Sequence, residues 1–106
     1  MPGISQSRKM RSLEEIRQDL KASLPDLQSR YGVTYLGIFG SYVRGEQKKT
    51  SDVDILVEFD RPGTLLDLIH LQNDLVDRLG VRVDLVEKSG LKKAIRPYVL
   101  AEVVPV

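Results

Sequence analysis

Cysteine is absent from the 106 residues, which excludes disulfides and thiolate metal sites and agrees with a reducing compartment. A run of roughly 18 apolar residues, the length a membrane-spanning helix needs, is also missing. Met1 to Arg11 is polar and basic, without the apolar stretch of a signal peptide. The expectation is therefore a cytoplasmic protein with no membrane partner. Charge of one sign is lacking as well. With 16 Lys and Arg against 15 Asp and Glu, no global field draws in nucleic acid or an anionic surface, and no direct nucleic-acid binding is expected. Internal repeats and low-complexity tracts are likewise missing. At about 42% apolar content the chain can build one core, and a large second substrate would have to be carried by another molecule.

What is present reads as alternating helices and strands. Residues 1–11 carry serines, cations and no apolar period, so they are expected to be a flexible N-terminal tail before a single domain over 12–106. Ser12 to Glu15 has capping-box spacing, and Leu13, Ile16, Leu20, Leu24 and Leu27 then form one helical stripe. Pro25 predicts a kink or restart near Leu24, with the helix ending by Gly32. Val33 to Phe39 is a nearly continuous apolar run that suits a strand covered on both faces. Ser41 to Arg44 allows one helical turn, closed at Gly45, and Glu46 to Ser51 reads as a loop.

Val53 to Phe59 alternates, with Val53, Ile55, Val57 and Phe59 on one face and Asp54 and Glu58 on the other, the pattern of a half-buried strand. Thr64 can cap a second long helix whose stripe is Leu65, Leu68, Ile69, Leu75, Val76 and Leu79, stopped at Gly80. Val81 to Glu87 alternates again and places Asp84 mid-strand. A last helical segment is expected around Leu91 to Leu100, bent before Pro97, and Val103 to Val106 is extended, as an edge strand or a partner surface. The fold class is α/β (α+β): a small mixed sheet covered by helices.

Chemistry concentrates in the acidic positions. Asp52 and Asp54, two residues apart, direct their carboxylates the same way, with side-chain origins roughly 7 Å apart at a rise of about 3.3 Å per residue. Together they can grip one cation or a pair, and Asp84 on another strand would complete the site. Clustered carboxylates raise one another's pKa values, so they need a cation to remain ionised. Magnesium suits such hard oxygen donors and leaves room for the phosphates of a nucleoside triphosphate. Gly40-Ser41 can supply a close backbone approach, amides and a hydroxyl to those phosphates. Arg44, three residues on, could hold phosphate oxygens in a fork or serve a surface salt bridge.

Gly40-Ser41, ten residues, then Asp52-Val53-Asp54 resembles the G-S-x₁₀-D-x-D signature of the nucleotidyltransferase superfamily that includes DNA polymerase beta. The longer string GSYVRGEQKKTSDVDILVEF is similar to the minimal nucleotidyltransferases, MNT, in particular the antitoxin partners of HEPN toxins. The resemblance implies a nucleotidyltransferase fold and two Mg²⁺ ions held by Asp52 and Asp54. It further implies that Asp84 binds one of the ions and favours deprotonation of the acceptor hydroxyl, while Gly40 and Ser41 hold the triphosphate. The implied reaction is transfer of AMP from ATP to a tyrosine of a HEPN ribonuclease toxin, in a hetero-oligomer with that partner. Gln47 departs from the family's usual small residue, which concerns the loop and not the metal ligands.

Other readings weigh against some of these residues. Antitoxin action by binding alone, or transfer to a small hydroxylated molecule, would use the same fold. Lys48 and Lys49 read better as a solvated pair than as a steering device for ATP. His70, flanked at helical spacing by Asp67 and Asp74 with Asp77 beyond, reads as part of an exposed acidic face and not as a metal cluster. The leucines of both long helices read as core.

Overall fold

Ser12 accepts a hydrogen bond from the Glu15 amide, and Glu15 accepts one from the Ser12 amide, a reciprocal pair that satisfies two otherwise unpaired donors at a helix start. Helix α1 (Leu13–Tyr31) follows. It buries Ile16, Leu20 and Leu27 completely, with Leu13 and Leu24 packed at the margin. The restart expected near Leu24 does not occur, because the helix continues through Pro25 as one element. Pro25 and Lys21, whose carbonyl loses its amide partner, both lie on the exposed side, where water can take the vacated bond.

The computed structural model describes residues 11–106. Of the tail expected over 1–11, the first ten positions therefore lie outside the described residues. Arg11 itself is anchored: it donates to the Leu79 carbonyl at 2.9 Å and pairs with Asp19 at 2.7 Å.

After α1 come β1 (Val33–Phe39), α2 (Ser41–Arg44), β2 (Val53–Phe59), α3 (Leu65–Leu79), β3 (Val83–Glu87), a 3₁₀ turn (Lys88–Gly90), α4 (Arg96–Glu102) and β4 (Val104–Pro105). The sheet order is β3-β2-β1-β4. β1 pairs antiparallel with β2 and with β4, whereas β2 and β3 run parallel, as strands joined through a crossover helix do. Thr64 and Asp67 form a second reciprocal cap at the start of that helix, α3. The loop before β2 is held by the Lys48 amide on the Ser51 hydroxyl at 2.8 Å and the Ser51 amide on the Lys48 carbonyl at 2.9 Å.

Both faces of the sheet are covered. Helices α1 and α3 pack on the face that carries Leu36, Ile38, Val53, Ile55, Val57 and Val83. On the other, Leu91 and Val99 close over Leu56. Leu56 is fully buried, so β2 is not the half-buried strand that its alternation predicts. The cover comes from a segment more than thirty residues away, roughly counted, which a local pattern cannot contain.

Three boundaries shift for identifiable reasons. β3 starts at Val83 instead of Val81, because its pairing begins where Val53 meets Val83; Asp84 is thus second in the strand instead of central. The last helix begins at Arg96 instead of Leu91, with Pro97 in its first turn, where a missing amide hydrogen leaves no bond broken. Val103 to Val106 resolves as an edge strand, in which Val104 and Pro105 pair with Ile38 and Gly37 and the Val106 amide donates to Leu36 at 3.0 Å. Pro105 suits an edge, since it cannot donate to a further strand.

The leucines of α3 divide. Leu71, Leu75 and Leu79 form its buried line, while Leu65, Leu66 and Ile69 are 74%, 59% and 46% exposed. With 3.6 residues per turn, Ile69 lies about 160° round the helix from Leu71, so the expected stripe through Leu65 and Ile69 misses the core. Asp74 departs from the expected acidic face: it accepts from Tyr31 at 2.8 Å and Arg78 at 2.6 Å, and Arg78 also bonds Asp26, which ties α3 to α1. Among the described residues no helix is long and apolar enough to cross a membrane.

This division of α3 is open to direct measurement. Leu71→Ala is expected to destabilise the protein by about 2–5 kcal/mol, as emptied core sites do. Leu65→Ala should stay within about 0.5 kcal/mol of the parent. Urea unfolding of both variants checks the contrast, and equal losses would place Leu65 in the core after all.

Candidate active site

Strand pairing brings distant acidic positions to one end of the sheet. Asp54, second in β2, faces Phe39 of β1 on one side and Asp84 of β3 on the other. Gly40 follows Phe39 with φ +84, and a Cβ added there would stand 2.0 Å from an Asp54 carboxylate oxygen. Only a bare Cα fits between the strand end and the carboxylate, and only glycine takes this backbone conformation without strain. The turn then enters α2, so the Gly40-Ser41 corner lies directly beside Asp54.

Asp54 is half-buried. Burial first, then the charge and hydrogen bonding of Asp84 and the charge of Asp52, push its pKa up from 3.8 to about 6, with Arg44 opposing. The register of β2 and β3 sets Asp54 level with Asp84, and like charge so close disfavours an ionised Asp54 in the absence of a cation. Asp52 lies one residue before β2, with its carboxylate 3.0 Å from the Arg82 guanidinium. Arg82 also donates to the Thr50 carbonyl, which braces the loop before β2.

No three acidic or imidazole side chains among the described residues surround a common point as in a closed metal site. The set nonetheless fits a hard divalent cation: oxygen donors only, mutually repelling, on an open edge where water and substrate phosphates would complete the coordination. His70 is exposed and takes no part in it.

Ser41 opens α2 at the same corner and is half-buried. Arg44, at the end of α2, directs its guanidinium to Glu102 at 2.7 Å and Glu46 at 2.9 Å. These ion pairs are the surface salt bridge that the sequence allows for this residue. Lys48 and Lys49 are exposed on the loop.

Two residues at the site escape sequence reasoning. Arg82 holds Asp52. Glu102, at the end of α4, accepts from the Gly40 amide at 2.7 Å through one carboxylate oxygen and from Arg44 at 2.7 Å through the other. Burial would raise the Glu102 pKa, but the Gly40 amide and Arg44 together more than offset it and hold the carboxylate below its ordinary value. No local signal marks Glu102, because its partners lie 62 and 58 residues away.

Comparison with known proteins gives a consistent set. The nucleotidyltransferase domain family matches residues 13–104. A protein named "Protein adenylyltransferase MntA" from Thermococcus cleftensis is 54% identical over 95 residues, covering 90% of this chain and 96% of the relative. A solved structure named as a minimal nucleotidyltransferase superposes with a TM-score of 0.77 at 41% identity, over 92% of this chain and 99% of that one. At 20% identity, a structure of a tri-AMPylated Shewanella oneidensis HEPN toxin in complex with MNT antitoxin has the same fold, with a TM-score of 0.64 over 87% of this chain and 69% of that one.

The burial of Asp54 beside the charges of Asp84 and Asp52 sets a pH signature for the metal-free protein. A carboxyl at about 6 in the fold, against 3.8 ordinarily, contributes stability that is full below the unfolded value and is lost as pH rises through the folded one. Asp54→Asn removes that dependence. In chelator, the variant should therefore gain thermal stability relative to the parent as pH rises from about 4 to about 7. A difference that stays flat over that range would mean that Asp54 does not feel its neighbours.

Proposed function

We propose that this chain, which belongs to the nucleotidyltransferase domain family, transfers AMP from ATP to a tyrosine hydroxyl of a partner HEPN ribonuclease toxin and so acts as the antitoxin. The observation that carries this reading is the meeting of Gly40, Asp54 and Asp84 across three strands. A phosphate-accepting corner and a carboxylate pair are thereby adjacent, as nucleotidyl transfer requires. The names of the similar proteins support the finer part: one is a protein adenylyltransferase, and another sits in a complex with a tri-AMPylated HEPN toxin.

Asp52, Asp54 and Asp84 would hold Mg²⁺, two ions in the usual arrangement for this chemistry. When bound, magnesium supplies charge neutralisation for the triphosphate and makes the acceptor hydroxyl easier to deprotonate. The remaining work belongs to the chain. The Gly40 and Ser41 amides and the Ser41 hydroxyl bind the outer phosphates, and the Arg44 guanidinium holds two of their oxygens in a fork. That grip orients the α-phosphorus towards the aspartates. Asp84 favours removal of the proton from the tyrosine hydroxyl; the oxygen forms a bond to the α-phosphorus, the bond to the bridging oxygen breaks, and pyrophosphate leaves.

The product gains bulk and negative charge. On a ribonuclease, such a group near the RNA cleft repels RNA phosphates and neutralises the enzyme.

Incubation of this chain with its HEPN partner, Mg²⁺ and ATP should add AMP units to the partner, read by intact mass, and mapping should place them on tyrosine. Asp52→Asn combined with Asp54→Asn should lower the rate by at least about a hundredfold while leaving the fold and partner binding intact. Full neutralisation of the toxin by that double variant would instead favour inhibition by binding alone. A small labelled product formed without any protein partner would favour a small hydroxylated acceptor.

A further inference from the structure

The two groups best placed to grip a triphosphate are already engaged by an anion of the chain itself. One oxygen of Glu102 takes the Gly40 amide and the other takes Arg44, both at 2.7 Å. A carboxylate that bridges a backbone amide and a guanidinium through its two oxygens presents the same pair of acceptors as two oxygens of one phosphate group. We propose that Glu102 is a built-in competitor for the triphosphate, filling the cradle of the nucleotide-free protein and swinging out when a nucleoside triphosphate enters. The inference rests on the donor-site reading of Gly40, Ser41 and Arg44 given above.

The position of Glu102 is set by the fold and not by a loose surface contact. Its side chain is 23% exposed. The residue closes α4, and the Val103 amide beyond it donates back to Val99 at 2.9 Å. Val103 then packs over Gly37, where a Cβ would meet its side chain at 2.5 Å, and β4 pairs with β1 immediately afterwards. Anchored on both sides, the backbone holds the carboxylate at the cradle, while rotation of the side chain alone is enough to release it.

Charge decides why both anions cannot stay. A triphosphate brings several negative charges, and a carboxylate left among them in a half-buried place would be repelled by each. Entry of the nucleotide therefore has to break two charge-assisted contacts, which lowers the apparent affinity. In return, Arg44 is kept in place between visits by Glu102 and Glu46, so its long side chain does not have to be ordered anew.

The test compares the parent with Glu102→Gln and Glu102→Ala by isothermal titration in Mg²⁺, using AMP-PNP and, separately, inorganic tripolyphosphate. Gln keeps one oxygen that can accept from the Gly40 amide but loses the charge and the second acceptor, which Arg44 uses; Ala loses both contacts. Both variants are expected to bind AMP-PNP roughly tenfold tighter than the parent, with a similar gain for tripolyphosphate. Circular dichroism and thermal unfolding verify that the fold persists. Equal or weaker binding by both folded variants overturns the proposal and makes Glu102 a positioning partner of Arg44. A gain confined to AMP-PNP also overturns it, because the competition would then concern the base or sugar. If neither the parent nor the variants bind AMP-PNP, the donor-site reading fails along with it, an outcome distinct from the other two.

Discussion

The contact between the bare Cα of Gly40 and the carboxylate of Asp54 constrains everything around it. Asp54 can occupy that place only because β1 turns away immediately after Phe39, its antiparallel partner, through a residue with φ +84 and no side chain. The same turn starts α2, the element that carries Ser41 and Arg44. On the other side, the parallel pairing of β2 with β3 sets Asp84 level with Asp54. A slip of one residue in either register would carry Asp54 to the opposite face, into the apolar layer formed by Ile55, Val57 and the long helices. The site is thus specified by the same alternation that builds the core.

That arrangement accumulates like charge where the sheet ends, and the surrounding residues answer it unevenly. Arg82 pairs with Asp52, whereas Asp54 lies level with Asp84, and burial together with the charges of Asp84 and Asp52 raises the Asp54 pKa to about 6. The one nearby guanidinium that lowers it, Arg44, is shared with Glu46 and Glu102. A strained carboxylate pair thus stands at the candidate site, while among the described residues the buried side chains are apolar throughout. Local conflict of this kind, set against consistency elsewhere, is the pattern expected when a site is kept for chemistry and not for stability.

Much of this could be read before any coordinates, for reasons that differ by residue. The interval from Ser41 to Asp52, the caps at Ser12 and Thr64 and the period-2 run of β2 are local, and local patterns survive folding. The grouping of Asp54 with Asp84 was legible from alternation, which tells which way each side chain points, together with the family resemblance. What could not be read was set by long-range pairing. The burial of Leu56 depends on Leu91 and Val99, and the engagement of Gly40 depends on Glu102 at the far end of the chain. The exposure of Leu65 and Ile69 follows from a choice of helix face that several leucines left ambiguous. The helix runs on through Pro25 without a restart because the rule against proline in a helix weakens where the freed carbonyl faces water.

The second apolar layer explains why the C-terminal segment, and not a nearer one, reaches the Gly40-Ser41 turn. Leu91 and Val99 seat the last helix over Leu56, and the segment between them carries the chain from the β3 side of the sheet towards β1. The helix then ends beside β1, where Gly37 lets Val103 lie close and lets Val104 and Pro105 complete the edge. Glu102 falls between these two anchors, level with the turn at Gly40. Cover for that face of the sheet and the carboxylate that engages Gly40 and Arg44 thus come from one segment. Any change that loosens Leu91 or Val99 from Leu56 should be felt at Gly40 and Arg44 as well, although neither packs against them.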